Sequence, residues 1–215
     1  MKDSTDITVI LDRSGSMASV ADDTIGGFNT FLAEQQRTPG EALFSLVQFD
    51  HEYQPVYAGK QLAEVVPLTP ETFVPRGNTA LLDAIGRTLV SAGERLAALA
   101  EADRPSKVMV VIITDGHENA SRDWTKERVL ALISQQQSKY SWEFVFLGAN
   151  QDAIDTGASI GIAAGSSLSY AADGQGARDA FESTSSKLRG YRSSASAPAP
   201  AFTPTDRAKQ QRSRS

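Results

Sequence analysis

The run Val108-Met109-Val110-Val111-Ile112-Ile113-Thr114-Asp115-Gly116 stays apolar without alternation and then stops at a polar turn. A strand that is apolar on both sides must be covered on both faces, which is the situation of a central strand in a parallel sheet flanked by helices. The stop leaves Asp115 at the carboxyl edge of that strand. Immediately upstream, residues 80–102 carry Leu82, Ile85, Leu89, Leu96 and Leu99 at spacings that fall on one helical face, with Gly77-Asn78-Thr79 just before the first turn. Downstream, residues 124–137 read as a helix, Trp142 to Leu147 as a strand and residues 151–159 as a short helix. A weak strand at Ser167 to Tyr170 and a helix from Gly176 to Leu188 follow.

The beginning of the chain repeats the pattern. Ile7 to Leu11 is a short apolar run that ends at Asp12, and residues 18–37 place Val20, Ile25, Phe28, Phe31 and Leu32 on one helical face before Thr38-Pro39-Gly40 stops them. Ala42 to Phe49 reads as a second strand, turned back by Asp50-His51-Glu52 into Tyr53 to Ala58. That hairpin makes one antiparallel edge, where Pro55 is tolerated. Strands alternating with helices of crossover length predict a doubly wound α/β fold, its sheet mostly parallel with one antiparallel edge strand and helices on both faces. Such sheets bind ligands at the carboxyl ends of their strands, where strand order reverses. The loops carrying Asp12 and Asp115 lie on that edge.

Composition narrows the class. The chain has 215 residues with 40% hydrophobic content, which suits one packed domain. Lys and Arg number 21 against 26 Asp and Glu, a formal charge of -5 that argues against nucleic acid as partner of the folded part. With no cysteine, neither thiolate metal sites nor a cysteine nucleophile can arise. No apolar stretch is long enough to span a bilayer and no leader precedes the first strand, so the expectation is a cytoplasmic protein without a membrane partner. From Gly190 the composition shifts to Ser, Ala, Pro and Arg, with Arg192, Arg207, Lys209, Arg212 and Arg214 set against Asp206. This predicts a domain over 1–189 and a disordered basic tail over 190–215, either a weak electrostatic arm or a plain solvated linker.

Asp12-Arg13-Ser14-Gly15-Ser16 follows the first strand. Gly15 allows an unusual backbone, so the hydroxyls of Ser14 and Ser16 can turn to one point. Thr79 can add a third hydroxyl, and Asp12 and Asp115 add negative charge. An all-oxygen set suits a hard cation, Mg²⁺ ahead of Ca²⁺ or Mn²⁺, and nothing in it selects zinc. By itself the first loop is a weak signal, because Ser14 or Ser16 could simply cap the next helix. Its weight comes from Thr79 and Asp115 arriving at the same sheet edge.

These residues resemble the metal-ion-dependent adhesion site of von Willebrand factor A (vWA) domains, whose pattern is Asp-x-Ser-x-Ser, Thr, Asp. Asp12, Ser14 and Ser16 match its first part, Thr79 and Asp115 the rest, and the likeness runs from about Asp6 to Leu188. It implies a Rossmann-like fold of the stand-alone type that bacteria and phages carry. It implies also that Ser14, Ser16 and Thr79 touch the metal while Asp12 and Asp115 act largely through water. A cation with a mainly neutral inner shell remains under-neutralised and attracts an Asp or Glu carboxylate from a protein partner. The resemblance therefore points to an adaptor that binds and does not catalyse.

Two other classes compete. A hydrolase using Ser14 or Ser16 with His117 and Asp115 or Glu118 lacks the Gly-x-Ser-x-Gly elbow, and His117 stands too close in sequence to Asp115 for the usual triad. A metal-dependent phosphatase would want a second aspartate where Ser14 stands. A structural subunit would use the same cation only to stiffen its loops. His117, Glu118 and Asn119 are expected at the rim of the site, as partner contacts or as a solvated loop. Arg13 is expected to be an ordinary surface arginine paired with a nearby acid.

Overall fold

Side chains alternate across a strand, so an unbroken apolar run has to serve two cores. The computed structural model describes residues 2–149, 152–194 and 197–212. Their strands are β1 (Lys2–Asp12), β2 (Glu41–Phe49), β3 (Tyr53–Gln61), β4 (Pro105–Thr114), β5 (Glu143–Ala149) and β6 (Ser167–Tyr170), joined in one sheet in the order β3-β2-β1-β4-β5-β6. Every neighbouring pair is parallel except β2 with β3. The helices are α1 (Ala21–Arg37), α2 (Leu81–Ala97), α3 (Lys126–Tyr140), α4 (Ala153–Ser159), α5 (Gly174–Arg192) and α6 (Pro204–Arg212).

From β1 and β4, Ile7, Val9, Leu11, Met109, Val111 and Ile113 enter one core with Phe28 and Phe31 of α1 and Phe181 and Leu188 of α5. Ile10, Val108, Val110 and Ile112 enter the other, with Ile85 and Leu89 of α2 and Val129 and Ile133 of α3. The expected doubly wound α/β fold is the one observed. Strand order runs from β1 outward to β2 in one half and from β4 outward to β5 in the other, so it reverses between β1 and β4. That crevice is where Asp12 and Asp115 lie. No described helix is long and apolar enough to cross a membrane.

Element boundaries shift where caps intervene. The first helix starts at Ala21, because residues 15–20 form a 3-10 turn behind Ser14. α2 stops at Ala97, where Arg104 donates to the carbonyls of Ala97 and Leu99 and so closes the helix end. Thr125 accepts the Arg128 N–H and fixes the start of α3 at Lys126. The short helix expected over 151–159 forms as α4, while Gln151 lies outside the described residues.

The C-terminal segment differs from the disordered tail that its composition predicts. α5 continues to Arg192, whose guanidinium donates to the carbonyls of Gln35 in the last turn of α1 and of Thr38 and Gly40 just after it. Buried Lys107 donates to the carbonyls of Tyr191 and Ser194. Phe202 is buried in the core shared with α1 and α5, and its N–H bonds Gly165 O at 2.8 Å. Asp206 of α6 pairs with Lys187 of α5 at 2.9 Å and accepts the Thr203 N–H. The segment is too polar to build a core of its own, but one aromatic anchor and a few charged contacts suffice to order it on a surface already made. Arg214 lies outside the described residues.

Candidate metal centre

β1 ends on Asp12, which is fully buried. One carboxylate oxygen accepts the Ser14 N–H at 2.6 Å and the other accepts the Thr114 hydroxyl at 2.5 Å, so Asp12 ties the ends of β1 and β4 together. The Gly15 N–H bonds Gly77 O at 3.1 Å, holding the loop after β1 against the loop that precedes α2. Ser14 Oγ and Ser16 Oγ are 3.1 Å apart, and Ser16 Oγ donates to Asp115 Oδ1 at 2.7 Å. Thr79 enters from the same loop as Gly77. A Cβ on Gly116 would sit 2.7 Å from Thr79 Oγ1 and 3.5 Å from Ser16 Oγ, so a side chain there would push the Thr79 hydroxyl aside. The five residues singled out by sequence therefore lie together. Asp12, Ser14, Thr79 and Asp115 are buried, and Ser16 is exposed at the mouth.

Burial pushes the Asp12 carboxyl up to about 6, against the hydrogen bonds from Thr114 and Ser14. Burial raises Asp115 as well, outweighing its bond from Ser16. No Lys or Arg pairs with either acid among the described residues, so a cation from outside is what would relieve them. No group of three His, Cys, Asp or Glu gathers among the described residues, so a metal held here would depend on hydroxyl oxygen, as this donor set provides.

The loops are braced by residues whose roles sequence did not reveal. Asp50, at the end of β2 and fully buried, accepts from Arg13 Nε at 3.0 Å, Arg76 Nε at 2.9 Å and the Glu52 N–H at 2.6 Å. Its own carbonyl accepts the Ala80 N–H at 2.8 Å, beside Thr79. Burial raises the Asp50 carboxyl, but the Glu52 N–H and the guanidinium groups of Arg76 and Arg13 outweigh it and leave the group below its ordinary value. Arg13 is thus a buried strut and not a surface arginine. Its position after Asp12 is legible in sequence, whereas its partner 37 residues away is not.

Glu118 and Asn119 are braces too. Asn119 Oδ1 accepts the Thr79 N–H at 2.9 Å, and the Asn119 N–H returns to Thr79 O at 3.0 Å. Glu118 accepts the Leu82 N–H at 2.8 Å and the Ser121 hydroxyl at 2.7 Å. In return, Asp83 of α2 accepts the N–H groups of Arg122, Asp123 and Trp124 at 3.0, 3.0 and 2.8 Å. This two-way clasp fixes the loop carrying Asp115 to the helix following Thr79. His117 is exposed, as a rim residue would be. Behind the site, buried Tyr170 of β6 directs its hydroxyl to Thr114 O at 3.5 Å, and burial followed by the charges of Asp115 and Asp12 keeps it protonated.

No family profile matches the sequence, and no curated protein does. Solved structures do. Proximal thread matrix protein 1 from the mussel byssus superposes with a TM-score of 0.60 at 15% identity, over 93% of this chain and 48% of that one. Another structure of that protein has a zinc-occupied MIDAS motif, the metal-ion-dependent adhesion site. A von Willebrand factor type A structure from Catenulispora acidiphila gives 0.54 at 17% identity, over 86% of this chain and 42% of that one. The SpRpn10 VWA domain gives 0.57 at 11% identity, over 83% and 94%. The chain spans less than half the length of the first two proteins and matches nearly all of the third. At these identities the likeness is one of fold, and the fold is that of vWA domains.

Proposed function

We propose that this chain is a divalent-cation-dependent protein-binding domain, an adaptor in which an Asp or Glu of the partner completes the coordination of Mg²⁺. The observation that carries the reading is the convergence of three hydroxyls on two buried carboxylates that have no basic partner among the described residues. As the resemblance implies, Ser14, Ser16 and Thr79 would hold the ion directly and Asp12 and Asp115 through water. Bound there, the ion supplies positive charge that neutral hydroxyls do not cancel, and hence attraction for an external carboxylate. Asp12 and Asp115 set that charge from below, and Ser16 at the open mouth marks the side from which a partner arrives. Ca²⁺ and Mn²⁺ fit the same oxygens. The zinc-occupied motif in the mussel protein is a reason to include Zn²⁺ in the titration.

Binding rather than turnover is proposed because the Ser14 and Ser16 hydroxyls bond to each other and Ser16 donates to Asp115, with no histidine bonded to either serine among the described residues. The test is capture of partner protein from the native cell with Mg²⁺ and with EDTA, by the wild-type chain and by Asp12→Ala and Ser14→Ala. Mg²⁺ should raise the melting temperature of the wild type alone, and capture should vanish in EDTA and in both variants. Capture that persists in EDTA sinks the reading. Mg²⁺-dependent melting without any Mg²⁺-dependent partner would instead favour a structural cation.

A further inference from the structure

Beside Thr79 opens a cleft of about 570 Å³, within the range of small ligand sites. It is lined by His51 and Asn78, by Asp83 and Arg87 of α2, and by residues 119–123 of the loop after β4. It adjoins the metal centre through Asn78, next to Thr79 in sequence, and through Asn119, which is bonded to the Thr79 backbone in both directions.

The charges lining this cleft are not equally available. Asp83 is buried and its oxygens are engaged by three backbone N–H groups. Asp123 is paired with Arg87. His51 Nδ1 lies 3.2 Å from Asp50 Oδ1. What remains is the exposed guanidinium of Arg122, with no acidic partner among the described residues. With it remain the side-chain amide of Asn78 and the NH₂ of Asn119, whose oxygen already accepts from Thr79. The unengaged groups are thus donors, and the unengaged charge is positive although the formal charges of the lining cancel. Such a surface suits an extended chain with exposed carbonyls and one carboxylate.

We propose that the cleft receives the stretch of an acidic partner that adjoins its coordinating residue, and that Arg122 binds a second Asp or Glu there. This rests on the metal-dependent reading above and adds to it: the partner would be recognised by a pair of carboxylates, one at the metal centre and one at Arg122. A guanidinium favours such a contact because it offers paired donors to the two oxygens of a carboxylate. Arg122 is placed for it by the clasp of its own backbone N–H to Asp83.

The probes are short fluorescent Gly/Ser peptides that carry either one Glu or that Glu plus a second stepped along the positions on either side. They are titrated against the full chain by fluorescence anisotropy in Mg²⁺ and in EDTA. At one spacing the second Glu should tighten Mg²⁺-dependent binding about fivefold at low salt, as expected of a solvent-facing ion pair, and the gain should shrink as salt rises. Arg122→Ala should erase that gain and Arg122→Glu should reverse it, while both variants keep the wild-type rise in melting temperature with Mg²⁺. A second Glu that adds nothing at any spacing, or a gain that survives Arg122→Glu, overturns the cleft proposal and leaves the metal reading standing. Binding of the whole panel that is absent in Mg²⁺, or unchanged by EDTA, overturns both.

Discussion

Asp6 and Asp12 stand in the same strand, both fully buried, and their surroundings treat them in opposite ways. Arg95 of α2 reaches Asp6 with two nitrogens, at 2.8 and 2.9 Å, so the charge is neutralised within the chain. Asp12 receives one N–H and one hydroxyl and has Asp115 as its charged neighbour. Burying a carboxylate is costly unless something compensates it; the chain compensates Asp6 with arginine and gives Asp12 no basic partner among the described residues. Asp50 follows Asp6, with its two arginines, and Asp115 follows Asp12.

The contrast breaks most sharply by removing the internal cation. Arg95→Ala leaves Asp6 buried without its cationic partner and should cost about 3–4 kcal/mol of stability, seen as a lower denaturation midpoint with or without Mg²⁺. Asp12→Asn should act in the opposite direction when no cation is present. Folding raises the Asp12 carboxyl from 3.8 to about 6. The folded protein therefore binds this proton more tightly than the unfolded chain does. The associated stability is fully present below pH 3.8 and is lost as pH rises through 6. Asparagine keeps an acceptor for the Ser14 N–H, and the Thr114 hydroxyl can turn to accept from its NH₂. In EDTA at neutral pH the variant should be more stable than the wild type by about 2–3 kcal/mol. The wild type's loss of stability between about pH 4 and pH 6 should flatten in the variant, and the gain from Mg²⁺ should disappear. Thermal melts across that window decide it, and an Asp12→Asn protein as damaged as Arg95→Ala would erase the distinction.

β1, β2 and β4 were legible because their apolar runs end abruptly at Asp12, Asp50 and Asp115, whereas the four residues of β6, two of them serine, give only a weak strand signal. That the five candidate residues come together was legible because each falls at a strand or helix boundary on one sheet edge. Residues whose function depends on a distant partner were not. Asp50 ends an apolar strand just as Asp12 does, and that shared position was the available signal, but its arginines come from two other loops. Sequence places Glu118 and Asn119 at the rim but gives no sign of their partners, the N–H groups of Leu82 in α2 and of Thr79. The tail was misjudged for a related reason: composition measures whether a segment can fold alone, and α6 does not need to.

Asp83 sharpens the comparison as a third case, a buried carboxylate neutralised neither by arginine nor from outside but by three backbone N–H groups. Because those N–H groups belong to the loop after β4, Asp83 is where stability and site geometry meet. Asp83→Asn keeps the shape and loses half the acceptor capacity, leaving at least one N–H facing an amide NH₂. The cost should be about 1–2 kcal/mol, less than for Arg95→Ala because no full charge is orphaned. Trp124, whose ring lies over Gly86 so closely that a Cβ there would come within 2.0 Å, should still hold the far end of the loop to α2. The near end, where Asn119 spans to Thr79, would gain freedom, so Mg²⁺ affinity should fall by more than the stability change explains. Calorimetric titration of Mg²⁺ into Asp83→Asn, well below its melting temperature, measures that excess. Unchanged Mg²⁺ affinity would mean that Asp50, Asp12, Glu118 and Asn119 position Thr79 and Asp115 without the bonds to Asp83, and that those bonds serve only the helix.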